Sequence, residues 1–316
     1  MSPSSAVLPS NEHYQTDFQQ RWSHINQPDV RNLIWLLDSP VLLNPLHPRW
    51  LNQLAELPPV SLETTEWLAE LDRHPATLME FLAIHPHTRL GHYAENLLAF
   101  YFKWRGELVA HSVQVRSHTT IGEFDFLLNT PTGFEHWEFA CKFYLFANPV
   151  STPANTPANS LSNFIGPNLK DNLDDKAHKI INVQLALGKH VEAEKYLSRP
   201  LSAARALLKG WLFYPITPTA IVPEVAPQHC RGKWCRLAEF DAIEGDYFKP
   251  LTRLKWLAPA KISANEVIDR SQLKMKLAAQ FKIDSRPVLI AQCDEMDGFF
   301  VESERLFVVP DEWNSI

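Results

Sequence analysis

Cysteine is scarce in this chain: four residues in 316, Cys141, Cys230, Cys235 and Cys293, scattered without a repeating spacing. That usage excludes a disulfide-stapled scaffold and fits reduced thiols in a reducing compartment. Cys230-x4-Cys235, with His229 beside it, invites a zinc reading. The spacing is not that of a knuckle and no fourth ligand is at hand, so the thiols are read as incidental. An excess of positive charge is missing as well. The formal net charge is −6, so no overall field draws the molecule onto nucleic acid or an anionic membrane, and any such contact must come from a local patch. Long apolar runs are also lacking. The longest early one, LIWLLDSPVLL, is broken by Asp38 and Pro40 well short of a membrane span. The opening MSPSSAVLPSNEHYQ has no basic segment followed by an apolar one, as a signal peptide would. The expectation is a cytoplasmic protein with no membrane partner.

What is present is an ordinary globular composition, 45% hydrophobic, ample for one large or two smaller domains. Residues 1–15 read as a disordered lead. Helical periods and frequent prolines fill about 16–85, with Trp35, Trp50 and Trp67 as core anchors. RLGHYAENLLAFYFKW at 89–104 reads as a helix with apolar positions Leu90, Ala94, Leu97, Leu98 and Tyr101. Strand-like ELVAHSVQVRS (107–117) and IGEFDFLLN (121–129) follow, and the turn TPTG leads into a third strand, so the last two form a hairpin. Residues 147–163, with their tandem TPAN, form a flexible loop. GPNLKDNLDDKAHKIINVQLALG has acids in its first turns and Gly188 at its end, a helix pattern, and GWLFYPI at 210–216 is again a strand. Beyond about 220 a helical SQLKMKLAAQF precedes RPVLIAQC and GFFVESERLFVV, which read as a terminal hairpin or added strands. The resulting division is 1–85, a helical region; 86–220, an α/β core; and 221–316, an α+β extension packed on it.

The third strand, HWEFACKFYL, carries the chemistry. Alternation puts Trp137, Phe139, Cys141, Phe143 and Leu145 on one face, and Glu138, Ala140, Lys142 and Tyr144 on the other. A buried unpaired charge is costly, so the second face must meet partners, a metal or water. On the preceding strand Phe124, Phe126 and Leu128 face one way; Glu123 and Asp125 share the other with Leu127. A single core then brings Asp125, Glu138 and Lys142 together, with Glu95 joining from the helix. Glu123 reads as a strand-end surface acid or a spare ligand. Carboxylates from neighbouring strands are what Mg²⁺ or Mn²⁺ requires, and a lysine beside them can orient water or neutralise a phosphoryl oxygen. The implied chemistry is phosphodiester hydrolysis. Lys249, Arg253 and Lys255, mixed with Tyr247, Phe248 and Trp256, have the composition of a single-strand binder but read more simply as surface.

Residues 89–216 resemble the PD-(D/E)XK nuclease superfamily. The resemblance implies a restriction-endonuclease-like core of order α-β-β-β-α-β, a central mixed sheet flanked by helices. It implies catalytic and metal-binding roles for Asp125, Glu138 and Glu95, with Lys142 as the catalytic lysine. Lys176, Lys179 and Gln184 of the following helix would face a nucleic-acid substrate, most simply DNA. GEFDFLL, WEFACKFYL, GPNLKDNLDDK and GWLFYP also resemble the bacterial family known as domain of unknown function 1853. One departure stands out. The superfamily pattern is acid, one residue, lysine, whereas here three residues separate Glu138 from Lys142, or about 13 Å of strand instead of about 6.6 Å. A nuclease fold that has lost its chemistry and serves as a binding or scaffold protein, with a protein partner, is the alternative reading. The oligomeric state is left open.

Overall fold

The computed structural model describes residues 14–85, 87–147, 159–216 and 221–314. The lead over residues 1–13 and most of the TPAN loop fall outside them. The described residues open with four α-helices: α1 (Tyr14–Trp22), α2 (Pro28–Asp38), α3 (Leu62–Arg73) and α4 (Ala76–Ile84). α2 begins where its sequence dictates, with Pro28 in the first turn and Asp29 beside it, and ends before Ser39-Pro40. Helix α5 (Leu90–Trp104) leads to strands β1 (Leu108–Arg116), β2 (Thr120–Thr130) and β3 (Gly133–Phe146). Short β4 (Phe164–Ile165), helix α6 (Leu173–Lys179) and strand β5 (Ala203–Pro215) follow. The remainder is β6 (Cys230–Arg236), β7 (Tyr247–Pro250), β8 (Lys261–Ile262), β9 (Ile268–Asp269), α7 (Arg270–Phe281), β10 (Val288–Met296) and β11 (Phe299–Val309).

Among the described residues all the strands join one mixed sheet of 11 strands, whose path runs β1-β2-β3-β5-β6-β11-β10-β7-β9, with β4 on β3 and β8 on β11. Its centre is parallel: β3 with β5, β5 with β6, and β6 with β11. Both ends are antiparallel. The terminal hairpin expected from the sequence is β10–β11, and it also extends the sheet. The C-terminal region therefore continues the core sheet. One large apolar cluster joins Trp22, Ile34, Leu97, Phe139, Trp211 and Phe307, so the N-terminal helices, α5 and the C-terminal strands share a core on one face. A second cluster, with Ala140, Tyr144, Leu173, Ile180 and Leu212, holds α6 on the other. Trp35 and Trp50 are buried anchors, as expected.

The alternation on β3 holds. Trp137, Phe139, Phe143 and Leu145 enter the first cluster, Ala140 and Tyr144 the second. On β2 it does not. Phe126 and Leu128 lie in the first cluster, but Phe124 joins Leu127 in a separate one with Val115 and Phe134. The change of face occurs at Asp125. The β1–β2 ladder runs through Val113↔Phe124 and resumes at His111↔Phe126, and the intervening Ser112 of β1 has φ 51°. A left-handed residue inside a strand kinks the pair locally, which turns neighbouring side chains off the simple two-residue period.

β3 and β5 approach closely at Gly210, which pairs with Lys142 and has φ 149°. A Cβ there would stand 1.8 Å from the Lys142 carbonyl oxygen, so no side-chain adjustment can accommodate it. Gly210→Ala is expected to destabilise the fold by about 3–5 kcal/mol, as overpacking combined with a forbidden φ does; a urea melt within 1 kcal/mol (~) of wild type would contradict this register.

Candidate functional site

The β2–β3 ladder extends from Thr130↔Gly133 only as far as Phe126↔Trp137, after which β3 continues against β5. Where the strands part, side chains replace main-chain pairing. Phe139 N–H donates to Asp125 Oδ2 at 2.8 Å. Asp125 thus stands at the seam of the sheet, in reach of acids on both sides. Glu95 comes from α5, and Glu123 from β2. One carboxylate oxygen from each of Glu95, Glu123 and Asp125 lies within 4.8 Å of the others. Two ligands of one octahedral Mg²⁺ stand about 3–4 Å apart, and the trio's all-oxygen donor set is of the kind a hard cation takes.

Glu95 is held firmly. His111 Nε2 and Ser112 Oγ lie 2.9 and 2.8 Å from its Oε1, so the kinked Ser112 also supplies a hydroxyl that orients the Glu95 carboxylate. His92 Nδ1 lies 3.8 Å from Oε2. On the other side of the seam, Glu138 is 1% exposed. His136 Nε2 is 2.7 Å from its Oε1, and Gln184 Nε2 donates to its Oε2. Gln184 ends a π turn, Ile180–Gln184, that continues α6. α6 itself is started by Asn172, whose side chain accepts from Asp175 N–H at 2.9 Å. Lys176 of α6 reaches the same group, donating to Gln184 Oε1 at 3.4 Å.

The electrostatics follow from crowding. Burial, then the charges of Glu138 and Glu95, push the Asp125 carboxyl well above its ordinary range. Burial raises Glu138 to about 8, with Lys176 opposing and Glu95 and Glu123 adding to the rise. Burial lowers His136 to about 4, so the His136–Glu138 pair is neutral near pH 7. Lys176 is lowered by burial and then by Lys142, against the pull of Asp125 and Glu138. It is the cation next to the acids.

These shifts have a consequence for stability. Between pH 4.5 and 6.5 (about) the folded state holds an extra proton on Glu138 while the unfolded state holds one on His136, and the two effects oppose each other. Above that, up to about 8, the His136 effect is gone while the raised Glu138, with the raised Asp125 beside it, leaves the native state binding more protons, and stability falls as pH rises. Glu138→Gln is expected to flatten the decline in melting temperature between about pH 6.5 and 8 in metal-free buffer. An unchanged slope would contradict a protonated, buried Glu138.

Set against the sequence expectations, the structure brings Asp125, Glu138 and Glu95 into one neighbourhood and adds Glu123 to the trio. It does not bring Lys142 to them. Lys142 Nζ donates to Asp171 Oδ2 at 2.9 Å, an oxygen it shares with the Tyr144 hydroxyl at 3.0 Å. The three-residue spacing carries it too far along the strand. Of the helix residues, Lys176 and Gln184 face the acids, whereas Lys179 is exposed and makes no such contact among the described residues. His136, His111 and Ser112 were not singled out from sequence; polar residues inside otherwise apolar strands were their only signal. The zinc reading fails on geometry. Cys230 and Cys235 enter different clusters, and His229 bonds Tyr214 and the Ala226 carbonyl. The aromatic and basic segment near 250 is used by the fold: Phe248 is buried and Lys249 pairs with Glu266.

The family model described as domain of unknown function (DUF1853) matches residues 31–309. The chain belongs to the DUF1853 family. The match begins inside α2 and ends at the last residue of β11, so the DUF1853 unit contains the helices from α2 onward, the acid cluster and the C-terminal strands together, and α1 lies before it. Comparison with curated proteins, and separately with solved structures, returns no match. Among the described residues of this DUF1853 chain, no helix is long and apolar enough to cross a membrane.

Proposed function

We propose that this DUF1853 protein is a metal-dependent phosphodiesterase acting on nucleic acid, with a nuclease-type site built on a restriction-endonuclease-like core. The reading rests on one observation above all: the carboxylates of Glu95, Glu123 and Asp125 converge within 4.8 Å at the seam where β2 leaves β3. The element order α5-β1-β2-β3-α6-β5, interrupted before α6 only by the two-residue β4 among the described strands, supports the same reading. Glu95, Glu123 and Asp125 would hold Mg²⁺ or Mn²⁺, which when bound supplies a Lewis acid for a phosphoryl oxygen and lowers the pKa of its water. His111 and Ser112 fix the Glu95 carboxylate. Glu138, through Gln184, fixes the position of Lys176. The Lys176 ammonium, rather than that of Lys142, then offsets negative charge developing on the scissile phosphate. With a net charge of −6, substrate attraction has to be local to this cleft, and affinity should fall steeply with salt.

The direct test is incubation of purified protein with plasmid and linear DNA in Mg²⁺ or Mn²⁺, against an EDTA control. Cleavage that depends on metal is the expected outcome. Intact DNA, in duplex and single-stranded form, together with intact RNA under the same conditions would contradict the reading.

A further inference from the structure

Away from the acids, a cavity of about 560 Å³ opens beside the C-terminal end of α2, walled on its apolar side by Trp22, Leu37, Val41, Leu57 and Val60. Lys209 of β5 lines it and is only 2% exposed. Its ammonium donates to the main-chain oxygen of Ser39, which leaves two N–H donors. Among the described residues it forms no ion pair. Two acids line the same cavity and their charges favour the ammonium from a distance, but neither pairs with it among the described residues. Asp38 is engaged by Arg21 through hydrogen bonds of 2.7 and 2.6 Å, and Glu56 is exposed. The flanking thiols Cys141 and Cys230 are pushed up by burial and stay protonated, so neither provides a countercharge. Ser39 is also a lining residue, 4% exposed, and its Oγ has no hydrogen-bond partner.

Buried ammonium groups are ordinarily paired, because an uncompensated charge in the interior is strongly unfavourable. Burial lowers the Lys209 amine to about 8, which still leaves it mostly charged at neutral pH. Here, then, are an ammonium and a hydroxyl, both buried and both short of partners, on the wall of a cavity whose size is that of small-molecule sites. Two donors suit a carboxylate, and the nearby Asp38 and Glu56 disfavour a dianion such as a phosphate monoester. We propose that this cavity binds a small organic carboxylate with an apolar body, its head accepting hydrogen bonds from Lys209 Nζ and Ser39 Oγ and its body lying against Trp22, Leu37 and Val41. The site is separate from the acid cluster and stands or falls independently of the nuclease reading.

Calorimetric titration with hexanoate, with 1-hexanol as the neutral control, tests it. The wild type is expected to bind hexanoate with a Kd of about 1 mM or tighter and to bind hexanol far more weakly. Lys209→Met should weaken hexanoate binding by roughly tenfold or more. That variant should melt no lower than wild type, since an apolar chain replaces an unpaired buried charge. Ser39→Ala, which removes a hydroxyl with no protein partner, should fold normally and weaken hexanoate binding by about threefold or more. No hexanoate binding to the wild type, or affinity unchanged in Lys209→Met, would overturn the proposal. Should Lys209→Met fail to fold, unchanged affinity in Ser39→Ala would overturn it instead.

Discussion

Lys176→Met is expected to slow metal-dependent cleavage by about a hundred- to a thousandfold, the range seen when a preorganised donor to a developing charge is removed. Mn²⁺ affinity should be nearly unchanged, because Lys176 offers no ligand. The expectation follows from position. Lys176 is half-buried, tethered to Glu138 through Gln184, and feels both Asp125 and Glu138. Lys142→Met is the matched control. Its ammonium is held by Asp171, so its loss should cost far less in rate than that of Lys176, apart from any effect of freeing Asp171 and Tyr144. Steady-state cleavage rates for the two variants decide the matter. A large loss in Lys142→Met with near-normal Lys176→Met would assign the lysine role to the strand after all.

Asp125→Asn should have two effects of opposite sign. Partners one shell out from a metal typically cost 10–100-fold in affinity or activity when removed, so loss of a ligand itself should cost at least about a hundredfold in both. The same change should raise the melting temperature of the metal-free protein at neutral and alkaline pH. Burial and the neighbouring acids push the Asp125 carboxyl well up, and a group with a raised carboxyl pKa weakens the native state above its unfolded value. Asparagine removes that charge while its carbonyl can still accept from Phe139 N–H. A residue with a purely structural role would lose stability along with activity. Titration calorimetry and melts with and without Mn²⁺ separate the cases.

How much of this was legible in the sequence varied with the physics of each element. β3 could be read residue by residue, because both of its faces are buried and alternation is then strict. β2 could not. Its period is broken by the kink at Ser112, a backbone event that a serine does not announce, and Glu123 consequently looked like a surface acid. β5 starts at Ala203, seven residues before the expected Gly210, because small residues there lack a strand pattern and are held by distant segments, the long parallel ladder with β3 and a bridge to Leu54. Asp125, Glu138 and Glu95 could be placed together because helix and hairpin order constrains them locally. That Lys142 turns to Asp171 while Lys176 lies beside the acids could not be read without knowing how α6 and its π turn sit on the sheet. The continuity of the sheet into β6 and β11 depends on parallel pairings between distant segments, which local patterns do not encode.

Glu95, Glu123 and Asp125 are proposed to form one cation site. Its most direct test is Mn²⁺ titration by calorimetry on the wild type, Glu123→Gln and Glu138→Gln at pH 7. Stoichiometric binding to the wild type, weakened at least about a hundredfold in Glu123→Gln and much less in Glu138→Gln, is the predicted result. Undetectable binding to the folded wild type, or affinity that survives Glu123→Gln intact, would contradict it.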